Sequence, residues 1–157
     1  MIDRNNHHAR YCELMLLASA ASPARQRDGG YMAALYILSA DPVLCDLAGH
    51  KIGPDGISFS AIFSAARRRD LSDSQHTALR AAHSLFNAGA RSHNTPHDLA
   101  QCDYETLDII VNAMYIWKGG CIITPGDTGS VCLDRSEERK RRSLERSVFS
   151  ALFASAD

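Results

Sequence analysis

Residues 29–40 read GGYMAALYILSA, and from Tyr31 to Ala40 only Ser39 is polar. A surface helix shows an apolar stripe and a polar face at a period of 3.6 residues; a helix with no polar side is buried all round. The segment is therefore expected at the centre of a helical bundle, opened by Gly29 and Gly30. Asp41 and Pro42 follow as an N-cap acid and a proline at the first helical position, starting a short helix that ends near Gly49.

On the N-terminal side, Asn5 or Asn6 starts a first helix with the stripe Tyr11, Leu14, Met15 and Ala18, ending at Ser22 before Pro23. On the C-terminal side, Gly53, Pro54, Asp55 and Gly56 make 50–57 a turn. Ser58 caps a helix using Phe59, Ile62 and Phe63 that runs out at Arg67, Arg68 and Arg69. Ser72 and Gln75 form a capping box for the next helix, ending at Gly89, and Thr95 with Pro96 starts another. Asp103 opens the most apolar long helix, through Trp117, stopped by Gly119 and Gly120. A helical wheel puts Tyr104, Leu107, Ile110, Val111, Met114, Tyr115 and Trp117 on one arc, with Ile109 and Ile116 on the back. A second apolar stripe means burial on both sides or a surface held for a partner.

From Cys121 to Leu133 the pattern becomes two short strands around Pro125 to Gly129. Folding about that turn sets Cys121 opposite Cys132 and Ile122 opposite Val131. Such a pair is either bridged or, in a reducing cytosol, packed as two small hydrophobic thiols. The last helix, 135–155, is expected to be capped by Asp134 with Glu137 closing the box. It carries Arg139, Lys140, Arg141 and Arg142, flanked by Arg135 and Arg146, and then the stripe Leu144, Val148, Phe149, Leu152 and Phe153. The stripe packs on its own domain or on a second copy, so the helix either projects or mediates association into a homodimer.

These elements predict one mainly α domain over 1–157, a helical bundle of about six or seven helices with a small β-hairpin near 121–133. At 45% hydrophobic and 22% charged the chain can build a core, which excludes wholesale disorder. Its net charge of -1 gives no global pull toward nucleic acid or acidic lipid. The charge is nevertheless uneven. Residues 1–134 hold 11 basic and 14 acidic side chains, whereas 135–157 hold 6 and 4, so the positive end is the last helix. No apolar run approaches the ~20 residues that span a bilayer. Leu14 to Ala18 and the small residues after it resemble a secretion signal, but Asp3 and Glu13 sit where signals carry no acid. A cytoplasmic protein with an odd set of thiols (Cys12, Cys45, Cys102, Cys121, Cys132) is expected.

The sequence holds no catalytic motif of the hydrolase, phosphate-loop, dinucleotide or zinc-protease kinds. His76 and His83 are about 10.5 Å apart along a helix, too far to share an ion with bonds near ~2.1 Å. His93, His97 and Cys102 come closer to a ligand set, with His7, His8 or Asp98 as a fourth, but Thr95 and Pro96 start a helix between the two histidines. Around Gly56 a calcium loop fails, because Lys51 and Ile62 would occupy ligand positions. No cofactor, metal or catalytic residue is therefore assigned. Arg67, Arg68 and Arg69 end a helix, where cations meet the helix dipole favourably. Arg139 to Arg142 lie early in theirs and need another explanation: an intramolecular acid face, an acidic protein or phosphate.

The stretches Ala9–Tyr11, Tyr31–Leu44, His83–Gly89 and Pro96–Ile116 resemble an uncharacterised family of small helical proteins carried on conjugative elements and prophages of gut bacteria. The Leu85-Phe86-Asn87-Ala88-Gly89 run and the helix from Asp103 to Ile116 carry most of that likeness; the hairpin and the arginine-rich end lie outside it. The resemblance implies an accessory protein of a mobile element that binds host machinery, as defence or CRISPR inhibitors do. The expected function is thus non-enzymatic: blocking or recruiting a host protein or nucleoprotein through Arg67, Arg68, Arg69, Arg139, Lys140, Arg141, Arg142 and Arg146. The alternative is a DNA- or RNA-binding accessory or regulatory protein using the arginine-rich helix.

Overall fold

The structure, a computed structural model, describes residues 1–18, 23–53, 56–90 and 93–154, with the side chains of 25, 26 and 151–154 left out. It is mainly helical. A 3-10 turn at Arg4–Asn6 leads into α1 (His7–Ala18), α2 (Pro23–Gln26), α3 (Gly29–Ala40) and α4 (Pro42–Gly49). Strands β1 (Ile52–Gly53) and β2 (Gly56–Ile57) precede α5 (Phe59–Ala66), α6 (Asp73–Phe86), α7 (Pro96–Gln101) and α8 (Tyr104–Lys118). The antiparallel pair β3 (Ile122–Pro125) and β4 (Val131–Asp134) then delivers the chain to α9 (Ser136–Ala154). Among the described residues no helix is long and apolar enough to cross a membrane.

As expected, α3 is the central helix, buried at every position from Gly30 to Ala40 except Met32. It lies between α6, α8 and α1. The two glycines at its start explain how closely it can be surrounded. A Cβ on Gly29 would stand 2.5 Å from the Trp117 carbonyl oxygen, and one on Gly30 would stand 2.6 Å from that of Leu85. Backbone therefore meets backbone where α3 enters the bundle. Asp28 caps this end by accepting from the Tyr31 N–H at 2.9 Å.

The other end of α3 is buried too, so its last carbonyls need partners inside the protein. Arg10 of α1 donates to the Ser39 carbonyl at 2.7 Å and the Ala40 carbonyl at 3.2 Å, while Asp3 holds the same guanidinium at 2.9 Å. His7 donates through Nε2 to the Tyr36 carbonyl at 2.9 Å, and the two rings lie 4.7 Å apart. Next in the chain, buried Asp41 caps α4 by accepting from Val43 and Leu44 and also takes the Gln75 side-chain amide at 3.0 and 3.1 Å. Gln75 is itself half of the α6 capping box with Ser72, so one carboxylate joins two helix starts. Thr95 and Asp98 form a second box at α7.

Three expectations need correction, and one alternative is resolved. On α8 the core takes Ile109 and Ile116 of the back together with Thr106, Ile110 and Ala113, while Tyr104, Val111, Met114 and Trp117 of the broad arc are exposed. Ala113 and Thr106 are small enough to admit α3 closely, and residue size along the wheel hid that. In the hairpin Thr124 opposes Cys132, Pro125 opposes Val131 and Ile122 opposes Asp134, three residues away from the expected register. Gly129, at φ +74°, and the Gly126 N–H donating to the Ser130 carbonyl at 2.8 Å centre the turn on Thr128 instead. Cys121 and Cys132 are thus not cross-strand partners, and both are free thiols. At the last helix, Asp134 accepts from the Ser136 N–H, but Glu137 turns to Lys140 at 2.6 Å rather than closing a box. Finally, 52–53 and 56–57 pair as a minimal ladder where only a turn was expected. Smaller differences are that α6 stops at Phe86, before Gly89, and that Ser58 precedes α5 without a side-chain cap bond. Pro54, Asp55 and the expected first-helix end at Ser22 lie outside the described residues.

Two measurements check this packing. Gly30→Ala is expected to lose roughly 2 kcal/mol despite its gain in helix propensity, because the new methyl meets a backbone oxygen that cannot move aside. That corresponds to a fall of roughly 4–8 °C in Tm. Gly49→Ala, whose Cβ meets nothing within 4 Å, is the control and should lose nothing. The second measurement concerns His7, which burial pushes down from an ordinary 6.5 to about 4, with Arg10, His8 and Arg4 acting in the same direction and the Tyr36 carbonyl opposing. Unfolded chain takes up a proton between those two values that folded chain refuses. Stability is therefore full above pH ~6.5 and falls as pH drops toward ~4, losing about 3 kcal/mol in all. Urea denaturation across that window should show the slope in the native protein and lose it in His7→Gln.

Candidate functional site

The chain leaves β4 at Asp134 and turns directly into α9, so the first turns of α9 stand beside β4 and the end of α8. The Glu138 N–H donates to the Gly120 carbonyl at 3.2 Å, fixing this root. Arg135 lies over the Tyr115 ring with its guanidinium carbon 3.6 Å from the centroid, a cation–π contact. Arg142, two turns on, donates to the Tyr115 hydroxyl at 3.3 Å. Between the two arginines sits the Glu138 carboxylate, which pairs with Arg135 at 3.2 Å and faces the Arg142 Nε.

Beyond this root every side chain from Arg139 to Ser150 is exposed. Arg139, Arg142 and Arg146 follow at intervals of three and four, which places them on one side of the helix. With Arg135 they line an open groove of about 780 Å³ whose far wall is Cys132, Leu133 and the Asp134 carboxylate of β4, and which Glu138 also lines. No carboxylate among the described residues lies within ion-pair distance of Arg139 or Arg146, which stand about 10.5 Å apart along the axis. Arginine stays protonated throughout the working pH range. The row can hold an anion, and the wall behind it can take an apolar group.

The expected surface residues separate into two places. Arg139, Arg142 and Arg146 share the groove, whereas Lys140 and Arg141 point elsewhere around the same helix, Lys140 toward Glu137. Arg67, Arg68 and Arg69 follow α5 on another part of the molecule, where Arg69 pairs with Asp46 of α4 at 2.9 Å. Arg67 borders a separate open hollow with Phe63, His76 and His83, and His83 stacks on Phe59 at 4.8 Å. Leu144, Val148 and Phe149 are exposed; the side chains of Leu152 and Phe153 lie outside the described residues. The candidate metal ligands are not assembled. His93 borders one cavity, while His97 and Cys102 border another, and no group of three His, Cys, Asp or Glu suited to an ion occurs among the described residues.

Sequence reasoning missed Tyr115 and Glu138 as parts of this site. The spacing of Glu138 and Arg142, four apart on one helix, was the available signal. Tyr115 had none, since it reaches the arginines only through the fold. The Arg135 and Arg142 guanidiniums beside Tyr115 hold its phenol below the ordinary value, whereas burial pushes Tyr11 and Tyr36 up to about 12. In a spectrophotometric titration Tyr115 should thus ionise well before those two, and Tyr115→Phe should remove that early step. A lost phenol that had instead titrated at or above the ordinary tyrosine value would show that the arginines do not sit on the ring. No protein-family model, curated protein or solved structure matches the chain.

Proposed function

We propose that the protein is a non-enzymatic interaction protein that grips an acidic segment of a host protein or nucleoprotein in the groove between α9 and β4. The observation that carries this reading is that, among the described residues, no carboxylate lies within ion-pair distance of Arg139 or Arg146, on a helix whose side chains from Arg139 to Ser150 are exposed. Two such charges in front of an apolar wall match a peptide with spaced carboxylates and an apolar side chain. The likeness to accessory proteins of mobile elements supplies the setting, in which binding blocks or recruits the host component, as a defence or CRISPR inhibitor does. The cytoplasm is the compartment this requires.

A second reading, binding of DNA or RNA through the same helix, is favoured by the run Arg139 to Arg142. Against it, Glu138 and Glu137 already engage Arg142 and Lys140, which leaves few cations for phosphates. The two readings differ in salt dependence. Two charge contacts lose about tenfold in affinity between ~50 and ~200 mM salt, whereas six or more phosphate contacts lose about a thousandfold. Binding of the protein to a glutamate-rich peptide and to duplex DNA should be measured at both salts. The expected result is peptide binding with the shallow dependence, weakened at least about tenfold by Arg139→Glu with Arg146→Glu. Duplex retention with the steep dependence, or peptide binding indifferent to that double substitution, would overturn the proposal.

A further inference from the structure

The hairpin beside the groove leaves one strand edge open. In an antiparallel pair, residues that exchange both backbone hydrogen bonds with the facing strand alternate with residues whose N–H and C=O turn outward. The Gly126 N–H donates to the Ser130 carbonyl at 2.8 Å, which marks that pair as bonded. Counting on by twos along the register, Thr124 with Cys132 and Ile122 with Asp134 are bonded as well. Ile123 and Pro125 therefore turn outward on β3, and Val131 and Leu133 turn outward on β4. Proline has no N–H to offer, so Pro125 blunts the β3 edge as native sheets commonly do. The β4 edge has no such guard. Among the described residues, the Val131 and Leu133 main chains meet no further hydrogen-bond partner.

This edge borders the arginine groove. Cys132, Leu133 and Asp134 line the groove and no residue of β3 does, so it runs along the side of β4 away from its partner strand. The Leu133 side chain packs against the core, which leaves its main chain to face the groove. Across from it stand Arg139 and Arg146, with no carboxylate among the described residues within ion-pair distance. The groove's own acids are engaged, Asp134 by the Ser136 N–H at 2.9 Å and Glu138 by Arg135 and Arg142. We infer that the acidic segment binds as an added strand: its backbone pairs with Leu133 along the edge of β4, and its carboxylates meet Arg139 and Arg146. The inference rests on the reading of the groove as a site for an acidic segment and adds how that segment is held. Side chains on one face of a strand recur at every second residue. The segment recognised is thus one with acids at alternate positions and β-forming residues between them. Main-chain pairing contributes affinity and the guanidiniums contribute selection. A two-stranded ribbon is marginal by itself, and a third strand strengthens it.

The probe is a short peptide with glutamate at every second position and valine between, in three forms: unmodified, N-methylated at each glutamate, and N-methylated at each valine. N-methylation removes the donors along one edge of a strand and leaves its charge alone. The unmodified peptide is expected to bind the native protein. One of the two methylated forms, and not the other, should bind at least about tenfold more weakly. In the complex the Leu133 amide should exchange with deuterium at least about tenfold more slowly than in the peptide-free protein. Binding that falls with Arg139→Glu and Arg146→Glu but is equal for both methylated forms overturns the added strand and leaves the acidic-segment reading standing. No binding by any form overturns both. A Leu133 amide already protected without peptide, and more so at higher protein concentration, also overturns the inference, since a second copy then occupies the edge.

Discussion

The fold depends on a backbone approach at the start of α3. Gly29 and Gly30 bring that helix against the carbonyls of Trp117 and Leu85, so α8 and α6 close on it from two sides. Burying a helix on every side gains much apolar area but strands its end groups away from water. The neighbouring elements answer that cost. Asp28 serves the first turn, while Arg10 and His7 reach from α1 to the last one. Asp41 then starts α4 and engages Gln75 of α6, so the ends of three helices are coordinated around one polar layer beside the core.

What was legible in the sequence was local. The apolar run of α3, the caps at Asp41, Ser72, Thr95 and Asp103, and the glycine stop after α8 are each decided within a few residues, and the structure has them there. The orientation of α8 was not local. Its wheel is apolar nearly all round, and the choice of face was made by small Ala113 and Thr106 fitting against α3 rather than by the bulk of Tyr104 or Trp117. The hairpin register likewise turned on the conformation of one residue, Gly129. For the candidate site, the arginines were visible as a run, but a run has no direction. Only the docking of Arg135 and Arg142 on Tyr115, more than a dozen residues earlier, selects which of them share a side.

On α9 the two kinds of side chain are sorted by face. Arg139, Arg142 and Arg146 look into the groove beside β4, and Leu144 with Val148 looks away from it. Glu138 at the root takes up the charge of Arg135 and Arg142, which leaves Arg139 and Arg146 without an ion-pair partner among the described residues. The guanidiniums and the exposed apolar pair therefore occupy different sides of one helix.

The attachment of α9 also has a mechanical consequence. Nineteen residues at 1.5 Å each make a rod about 28 Å long. It is fastened over its first two turns, by ring, guanidinium and carboxylate contacts that tolerate small rotations better than interlocked aliphatic side chains do. A tilt of roughly 10° at such a pivot carries the far tip through roughly 5 Å, given that length. The position of that far end is therefore set by the few contacts at Tyr115, Glu138 and Gly120.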